Sequence, residues 1–134
     1  MSKAEGAVAW AVAIANNPAH GYDQANRWGP DYDCSSLVIS AYEAAGVPVR
    51  SKGASYTGNM RAAFLACGFE DVTAQVDRAT GAGLLPGDVL LNYQAHTAIA
   101  AKNGQIVAAT LNEYGKTTGG QPGAQNAREI RVPP

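Results

Sequence analysis

The first half of the chain repeats apolar residues at the spacing of amphipathic helices. Three segments show this pattern, at residues 3–16, 34–45 and 55–67. Gly46 favours a stop at the end of the second segment, and Pro48 reinforces that stop. The pattern therefore predicts three helices before the middle of the chain.

The third predicted helix contains the second cysteine of the chain. Ser55 or Thr57 is the expected N-cap residue, since hydroxyl side chains accept hydrogen bonds from the first free amides of a helix. Met60, Phe64 and Cys67 lie along the inner side of this helix. Cys67 is therefore expected to be a small buried hydrophobic residue.

In the second half of the chain, the period changes from helical to strand-like. An Asn-Gly turn within residues 102–104 predicts a hairpin, because both residues tolerate a positive φ. Helices followed by a sheet predict an α+β fold, with N-terminal helices packed on a small antiparallel sheet in a single domain spanning residues 1–134. The predicted strands are residues 88–93, 96–101, 105–112 and 128–132.

Composition and charge exclude several classes of protein. Hydrophobic residues make up 46% and charged residues 16% of the chain, which favours a folded core over disorder. The net charge is −1, and no basic stripe indicates binding to nucleic acid or to a membrane surface. No apolar run is long enough for membrane insertion. The acidic Glu5 and the short, Ala-rich run at residues 7–15 are untypical of a signal peptide, so we expect none.

The cysteines and histidines are too few and too dispersed for several common kinds of site. Two cysteines do not make a disulfide framework, although Cys34 and Cys67 could form one bridge. A chain that works without disulfides is compatible with synthesis in the cytosol. No cluster has the spacing of a metal site, so neither a metal nor a cofactor is expected.

Cys34 is the candidate nucleophile, because it falls in the first turn of the second predicted helix. The partial positive charge at a helix N-terminus stabilises a thiolate, and Ser35 and Ser36 add hydroxyl groups. This position predicts a lowered thiol pKa, although the charge of Asp33 opposes it. A buried structural cysteine is the alternative, but the polar Asp-Cys-Ser-Ser setting favours a functional one.

A cysteine nucleophile needs a base, and the chain has two histidines. His20 lies in the loop between the first two helices, where packing or surface exposure explains it equally well. His96 begins a predicted strand. A histidine on a strand that faces a cysteine at a helix N-terminus is the papain-like arrangement, so we favour His96 as the base.

Three motifs occur in an order and spacing similar to one family. They are YDCSSLV at residues 32–38, LPGDVL at residues 85–90 and HTAI at residues 96–99. Together they resemble the NlpC/CHAP group of papain-like cysteine peptidoglycan hydrolases. The similarity is greatest to the catalytic domains of phage endolysins and tail-associated hydrolases, and it covers nearly the whole chain.

The resemblance implies a mechanism for the cysteine and the histidine. Cys34 would attack an amide carbonyl of the peptidoglycan stem peptide. His96 would accept the thiol proton and return it to the leaving amine. The main-chain amide of Cys34 would contribute to an oxyanion hole.

The resemblance also implies where the substrate binds. In relatives, the residues that flank the nucleophile help to hold the stem peptide, which indicates Asp33 and Ser35 here. Three aromatic residues of the Gly- and Pro-rich loop at 18–33 are further candidates, since they could stack on a glycan or form a wall of the peptide groove. Packing of the loop onto the sheet is the alternative role for these three, which are Tyr22, Trp28 and Tyr32.

The family also has a third polar residue, which orients the histidine. It lies a short distance further along the chain, where this sequence has Ala108. The orienting role is therefore either vacant or taken by another residue.

The length of the hairpin turn decides which polar residue shares a sheet face with His96. With a three-residue turn at 102–104, Thr110 lies opposite His96, and Asn112 points to the same face. With a two-residue turn, the register shifts by one, and Glu113 takes that place. We favour Asn112, because Asn has this role in papain-like enzymes. The alternative for Asn112 and Glu113 is that neither orients the histidine, and that they are simply polar residues where the strand ends and a loop begins.

The predicted function is hydrolysis of amide bonds in bacterial cell-wall stem peptides, by an endopeptidase or an N-acetylmuramoyl-L-alanine amidase of phage lysis or a phage tail. A degenerate, non-catalytic wall-binding or structural domain of the same fold is one alternative, and a papain-like acyltransferase or deamidase is another. The expected partner is peptidoglycan, with targeting by a separate wall-binding domain or a tail protein. We expect synthesis in the host cytoplasm and action at the wall, after holin release or from the virion.

Overall fold

The computed structural model has the predicted α+β architecture, with helices first and an antiparallel sheet second. The three α-helices are α1 (Lys3–Ala15), α2 (Cys34–Ala44) and α3 (Thr57–Ala66). A short 3₁₀ turn follows at Thr73–Gln75, and the strands are β1 (Val89–Asn92), β2 (His96–Ala100), β3 (Ile106–Ala109) and β4 (Ile130–Arg131). The described residues are 2–17, 19–25, 27–29, 31–76, 82–92, 96–102, 105–109 and 130–131. Among these residues, no helix has the length and apolar character needed to cross a membrane.

Helix α2 begins and ends through its own local sequence. At its start, the Asp33 Oδ1 atom accepts a hydrogen bond from the Ser36 amide at 2.7 Å, and the Asp33 amide donates to the Ser36 hydroxyl at 2.9 Å. This reciprocal pair satisfies two amides at the helix start. At its end, Gly46 adopts a φ of 91°, as expected for the predicted helix stop.

Helix α3 begins differently from the prediction. Its N-cap residue is Tyr56, so the expectation of Ser55 or Thr57 in that position was wrong. The reason is Asn59, whose Oδ1 atom accepts hydrogen bonds from the amides of Ser55 at 2.8 Å and Tyr56 at 3.1 Å. A side chain inside the first turn therefore binds the amides that precede the helix, whereas an N-cap hydroxyl would accept from an amide inside that turn.

The core lies between the helices and one face of the sheet. Side chains from α1, α2 and α3 form a single cluster with Ile99, Val107 and Ala109 of the sheet. Cys67, at the C-cap of α3, packs against this cluster but is only half-buried, so the prediction of a buried cysteine is confirmed in part. The largest fully buried side chains are Leu37, Ile39, Met60, Ile99, Val38, Val49 and Val107.

The hairpin between β2 and β3 has the register predicted for a three-residue turn. The sheet order is β1-β2-β3-β4, and all neighbouring strands are antiparallel. Ala100 pairs with Ile106, and the Ala101 amide donates a hydrogen bond to the Gln105 carbonyl at 2.8 Å. Since directly paired residues point to the same face, Ala98 and Ala108 share the face of His96.

The turn before β1 connects the sheet to the helices. The Asp88 carboxylate accepts a hydrogen bond from the Leu85 amide at 2.9 Å, so Asp88 caps the turn. The Gly87 amide donates to the Ala100 carbonyl at 2.8 Å, and the Gly87 carbonyl accepts a hydrogen bond from the Tyr42 hydroxyl of α2. Gly87 therefore links β1, β2 and α2 through its main chain alone.

Candidate active site

Hydrogen bonds connect the described residues of the loop between α1 and α2. The Tyr32 amide donates to the Gly21 carbonyl at 2.9 Å, and the buried Asp31 carboxylate accepts from the Gly21 amide at 2.9 Å. The Tyr32 ring is buried and meets the Trp10 ring edge to face at 5.6 Å. The structure thus places Tyr32, a predicted substrate-binding residue, in the core, where it anchors the loop.

Cys34 is the first residue of α2 and lies beside the start of β2. The main-chain amide of Thr97 on β2, and those of Ser35 and Cys34 at the helix N-terminus, lie near its sulfur and act to lower the pKa of the thiol. Thr97 directly follows His96 in the chain. The fold therefore brings the predicted nucleophile to the end of the strand on which the predicted base lies.

The pKa of the Cys34 thiol is raised, so the prediction of a lowered pKa was wrong. Burial is the main cause, since the residue is only 9% exposed, and the charge of Asp33 raises the pKa further. The nearby main-chain amides lower the pKa, but they do not offset the loss of solvent. Cys34 is therefore a protonated thiol at neutral pH and needs a base to become a nucleophile.

His96 has the protonation state that a base requires. Partial burial lowers the pKa of its imidazole below the ordinary value. The ring is therefore neutral at neutral pH and can accept a proton. Because the pKa of Cys34 is raised while that of His96 is lowered, the resting site holds a neutral thiol and a neutral imidazole rather than an ion pair.

This neutral resting state predicts how the alkylation rate of Cys34 depends on pH. In a chain carrying Cys67→Ala, the reaction of Cys34 with iodoacetamide should rise through one ionisation above the ordinary thiol value of about 8.5. The rate is measured by mass spectrometry across the pH range. A plateau of fast alkylation at about pH 4–6, typical of a thiolate–imidazolium pair, would contradict it.

Arg27, which no motif in the sequence indicated, organises the polar residues around Cys34. Its Nε atom donates to the Asp33 Oδ2 atom at 2.6 Å, and its Nη2 atom donates to the Ser35 hydroxyl at 2.7 Å. The Ser35 hydroxyl in turn donates to Asp33 Oδ1 at 3.0 Å. One signal could have identified Arg27, because it is the sole arginine or lysine in the acidic loop at 18–33.

The two predicted substrate-binding residues that flank Cys34 line a polar cleft together with it. The cleft has a volume of about 310 Å³. The loop before α2 forms one wall, and the start of α3 forms another. The lining residues are Gln24, Arg27, Asp33, Cys34, Ser35, Tyr56 and Thr57.

Tyr56 projects from the rim of this cleft over a glycine. Its side chain is 58% exposed, although it belongs to the cleft lining. A Cβ atom added to Gly58 would lie 2.5 Å from the Tyr56 ring, which is too close for any real contact. The ring therefore occupies the space that a side chain at position 58 would fill.

Tyr22 lies close to the nucleophile. Its side chain is buried, and its hydroxyl accepts a hydrogen bond from the Gln24 amide group at 3.2 Å. Burial raises the pKa of Tyr22, and the nearby Cys34 and Asp33 raise it further. The structure thus brings this predicted substrate-binding residue within electrostatic range of the Cys34 sulfur.

Trp28 lies beside two cationic side chains. Its ring centre is 4.5 Å from the Arg27 guanidinium and 3.8 Å from that of Arg50 on the segment after α2. The indole is 37% exposed. Cation–π contacts of this kind hold a guanidinium in place while leaving its N–H groups available.

Asn112, the predicted orienting residue, lies outside the described residues, as do its rivals Thr110 and Glu113. Both cysteines are free thiols. Within the described part of the chain, no group of three or more His, Cys, Asp or Glu side chains is placed to hold a metal ion.

Comparison with known proteins identifies one family. The model of the Endolysin-like domain matches residues 2–107, which include Cys34, His96 and every residue of the cleft lining. No curated protein and no solved structure matches the chain.

Proposed function

Because the chain belongs to the Endolysin-like domain family, we propose that it is a papain-like cysteine hydrolase of bacterial peptidoglycan. The family is one of phage lysis-related cell-wall enzymes. The position of Cys34 supports the proposal of cysteine chemistry. Cys34 lies at a helix N-terminus and lines an open polar cleft. Its sulfur also lies beside the start of the strand that holds His96.

In the proposed reaction, His96 takes the proton from the Cys34 sulfur as the sulfur attacks an amide carbonyl. The carbonyl oxygen becomes negatively charged, and the main-chain amide of Cys34 donates to it. The C–N bond then breaks, and the His96 proton goes to the leaving amine. Water, deprotonated by His96, attacks the remaining thioester and releases the carboxylic acid and the free thiol.

Three features of the site support this chemistry. The raised pKa of Cys34 makes a base necessary, and the lowered pKa of His96 supplies one. The main-chain amides of Cys34 and Ser35 belong to the first turn of α2, whose N-terminus favours the negative charge of an oxyanion beside the sulfur. We keep Asn112 as the proposed residue that orients His96.

The proposed substrate is the stem peptide, and two bond types fit. An endopeptidase would cut within the stem peptide or its cross-bridge, whereas an amidase would cut between N-acetylmuramic acid and L-alanine. The protein would be made in the host cytoplasm and would act at the wall after holin release or from the virion. A separate wall-binding domain or a tail protein would direct it there.

The experiment is digestion of sacculi from several bacteria with the purified, reduced protein. New amino groups are labelled, and the fragments are identified by mass spectrometry. A new amine on L-alanine assigns an amidase, and a new amine on another residue assigns an endopeptidase. Protein alkylated at Cys34 serves as the control and should release none.

The opposite result is equally informative. If no sacculus yields new amines while Cys34 remains free and reactive, the hydrolase proposal fails. Binding to sacculi would then favour a non-catalytic wall-binding domain. Transfer or deamidation on protein substrates would instead favour the acyltransferase or deamidase alternative.

A further inference from the structure

Two charged side chains line the cleft, and they differ in what they can offer a ligand. Asp33 supplies a carboxylate, and Arg27 supplies a guanidinium. They form an ion pair at 2.6 Å. Which of the two side chains can bind the substrate depends on how many of its hydrogen-bonding positions are not already used within the protein.

The carboxylate of Asp33 already has partners at both oxygens. Its Oδ1 atom accepts from the Ser36 amide at 2.7 Å and from the Ser35 hydroxyl at 3.0 Å. Its Oδ2 atom accepts from Arg27 at 2.6 Å. The charge of Asp33 is thereby neutralised locally, and its oxygens hold the helix start in place rather than attract an amine.

The guanidinium of Arg27 retains donors. It has five N–H groups, of which one at Nε and one at Nη2 donate to Asp33 and Ser35 among the described residues. The remaining N–H groups belong to a side chain that is 19% exposed and lines the cleft. Because two partners and the Trp28 ring hold the group, little conformational freedom is lost when it binds a ligand.

A second guanidinium lies close to Arg27. Arg27 and Arg50 both lie against Trp28, at 4.5 and 3.8 Å from its ring centre, so Arg50 adds a positive charge beside the Arg27–Asp33 ion pair. A guanidinium fork matches the geometry of a carboxylate better than that of any neutral amide.

From this arrangement we propose that Arg27 binds a free carboxylate of the peptide substrate and so sets the specificity of the cleft. The inference rests on the proposed peptidoglycan hydrolase function and names the chemical form of stem peptide that the site selects. Stem peptides with a free carboxylate beside the scissile bond are substrates, and those in which that group is a carboxamide are poor ones.

The test uses two synthetic stem peptides that are identical except for this carboxylate or carboxamide. For the wild-type protein, kcat/KM should be about tenfold to a hundredfold higher for the acid, as expected for hydrogen bonds to a charged group. In Arg27→Gln, the two peptides should react at nearly equal rates, and Arg27→Lys should keep part of the preference. The ratio between the peptides is measured on one protein sample, so a loss of folded protein does not change it.

A matched control is Arg61→Gln, which breaks the exposed Arg61–Asp71 pair at 3.3 Å and should leave the ratio unchanged. Equal rates for the two peptides in the wild type would overturn the inference, as would an unchanged preference in Arg27→Gln.

A binding measurement separates this inference from the proposed function. Both peptides are titrated into isotope-labelled wild-type protein, and the Arg27 Nε–H signal is followed by NMR. Tighter binding of the acid, with a shift of that signal, supports the carboxylate site even if neither peptide is cleaved, in which case only the hydrolase proposal fails. If both peptides are cleaved at equal rates, the hydrolase proposal stands and the proposal of a carboxylate site fails. Equal binding of both peptides would also reject the carboxylate site.

Discussion

Changing Cys34 to alanine is expected to lower the release of amines from sacculi by at least about a thousandfold, since no other group takes over the role of a nucleophile. The sulfur lies at the N-terminus of α2 and beside the start of β2, and alanine has no group that could attack a carbonyl from there. The rate of amine release per folded protein molecule is the quantity to measure.

Cys67→Ala is the matched control for this experiment. Cys67 is the other free thiol of the chain, and it lies at the end of α3, outside the cleft lining. This variant should keep the wild-type rate. His96→Ala should lower the rate by about a hundredfold or more, because the protonated Cys34 thiol then lacks its base. Full activity in Cys34→Ala would exclude the cysteine mechanism.

Changing Gly87 to alanine is expected to cost about 2–4 kcal/mol of folding free energy. Gly87 adopts a φ of 94°, which an L side chain rarely accepts. A Cβ atom there would lie 2.5 Å from the Cβ of Ala4 and 3.1 Å from the Tyr42 hydroxyl. The substitution therefore combines backbone strain with a collision between the turn, α1 and α2.

Gly46→Ala separates these two causes. Gly46 has nearly the same φ, 91°, but a Cβ atom added there meets nothing within 4 Å. Gly46→Ala should lower the free energy of unfolding only by the backbone strain, about 1 kcal/mol. Both values come from urea unfolding followed by circular dichroism. If the two substitutions cost the same, the close approach of the turn to α1 and α2 is not what limits position 87.

The features that could be predicted from sequence are those fixed by local chemistry. The helix stop at Gly46 needs only a residue that accepts a positive φ, and the turn cap at Asp88 needs only an acceptor three residues after a free amide. The position of Cys34 at a helix start follows equally from the residues around it. Such features depend on neighbours in the chain, so the sequence is sufficient to identify them.

Features that depend on packing were missed or mistaken. The thiol pKa of Cys34 depends on how deeply the sheet and the loop bury the sulfur, which spacing along the chain does not reveal. The role of Arg27 depends on a fold of the loop that returns its side chain to Asp33 and Ser35. The start of α3 depends on Asn59, whose side chain reaches back to the amides of Ser55 and Tyr56, and α3 has no side-chain N-cap hydrogen bond.

The contact between Tyr56 and Gly58 has an evolutionary consequence. One wall of the cleft stands where it does because position 58 has no side chain. We expect the two positions to covary among relatives: chains with a bulky residue at position 58 should carry a small one at position 56, and their clefts should accept wider substrates. The range of accepted substrates would then change during evolution through residues 56 and 58, which take no part in bond cleavage.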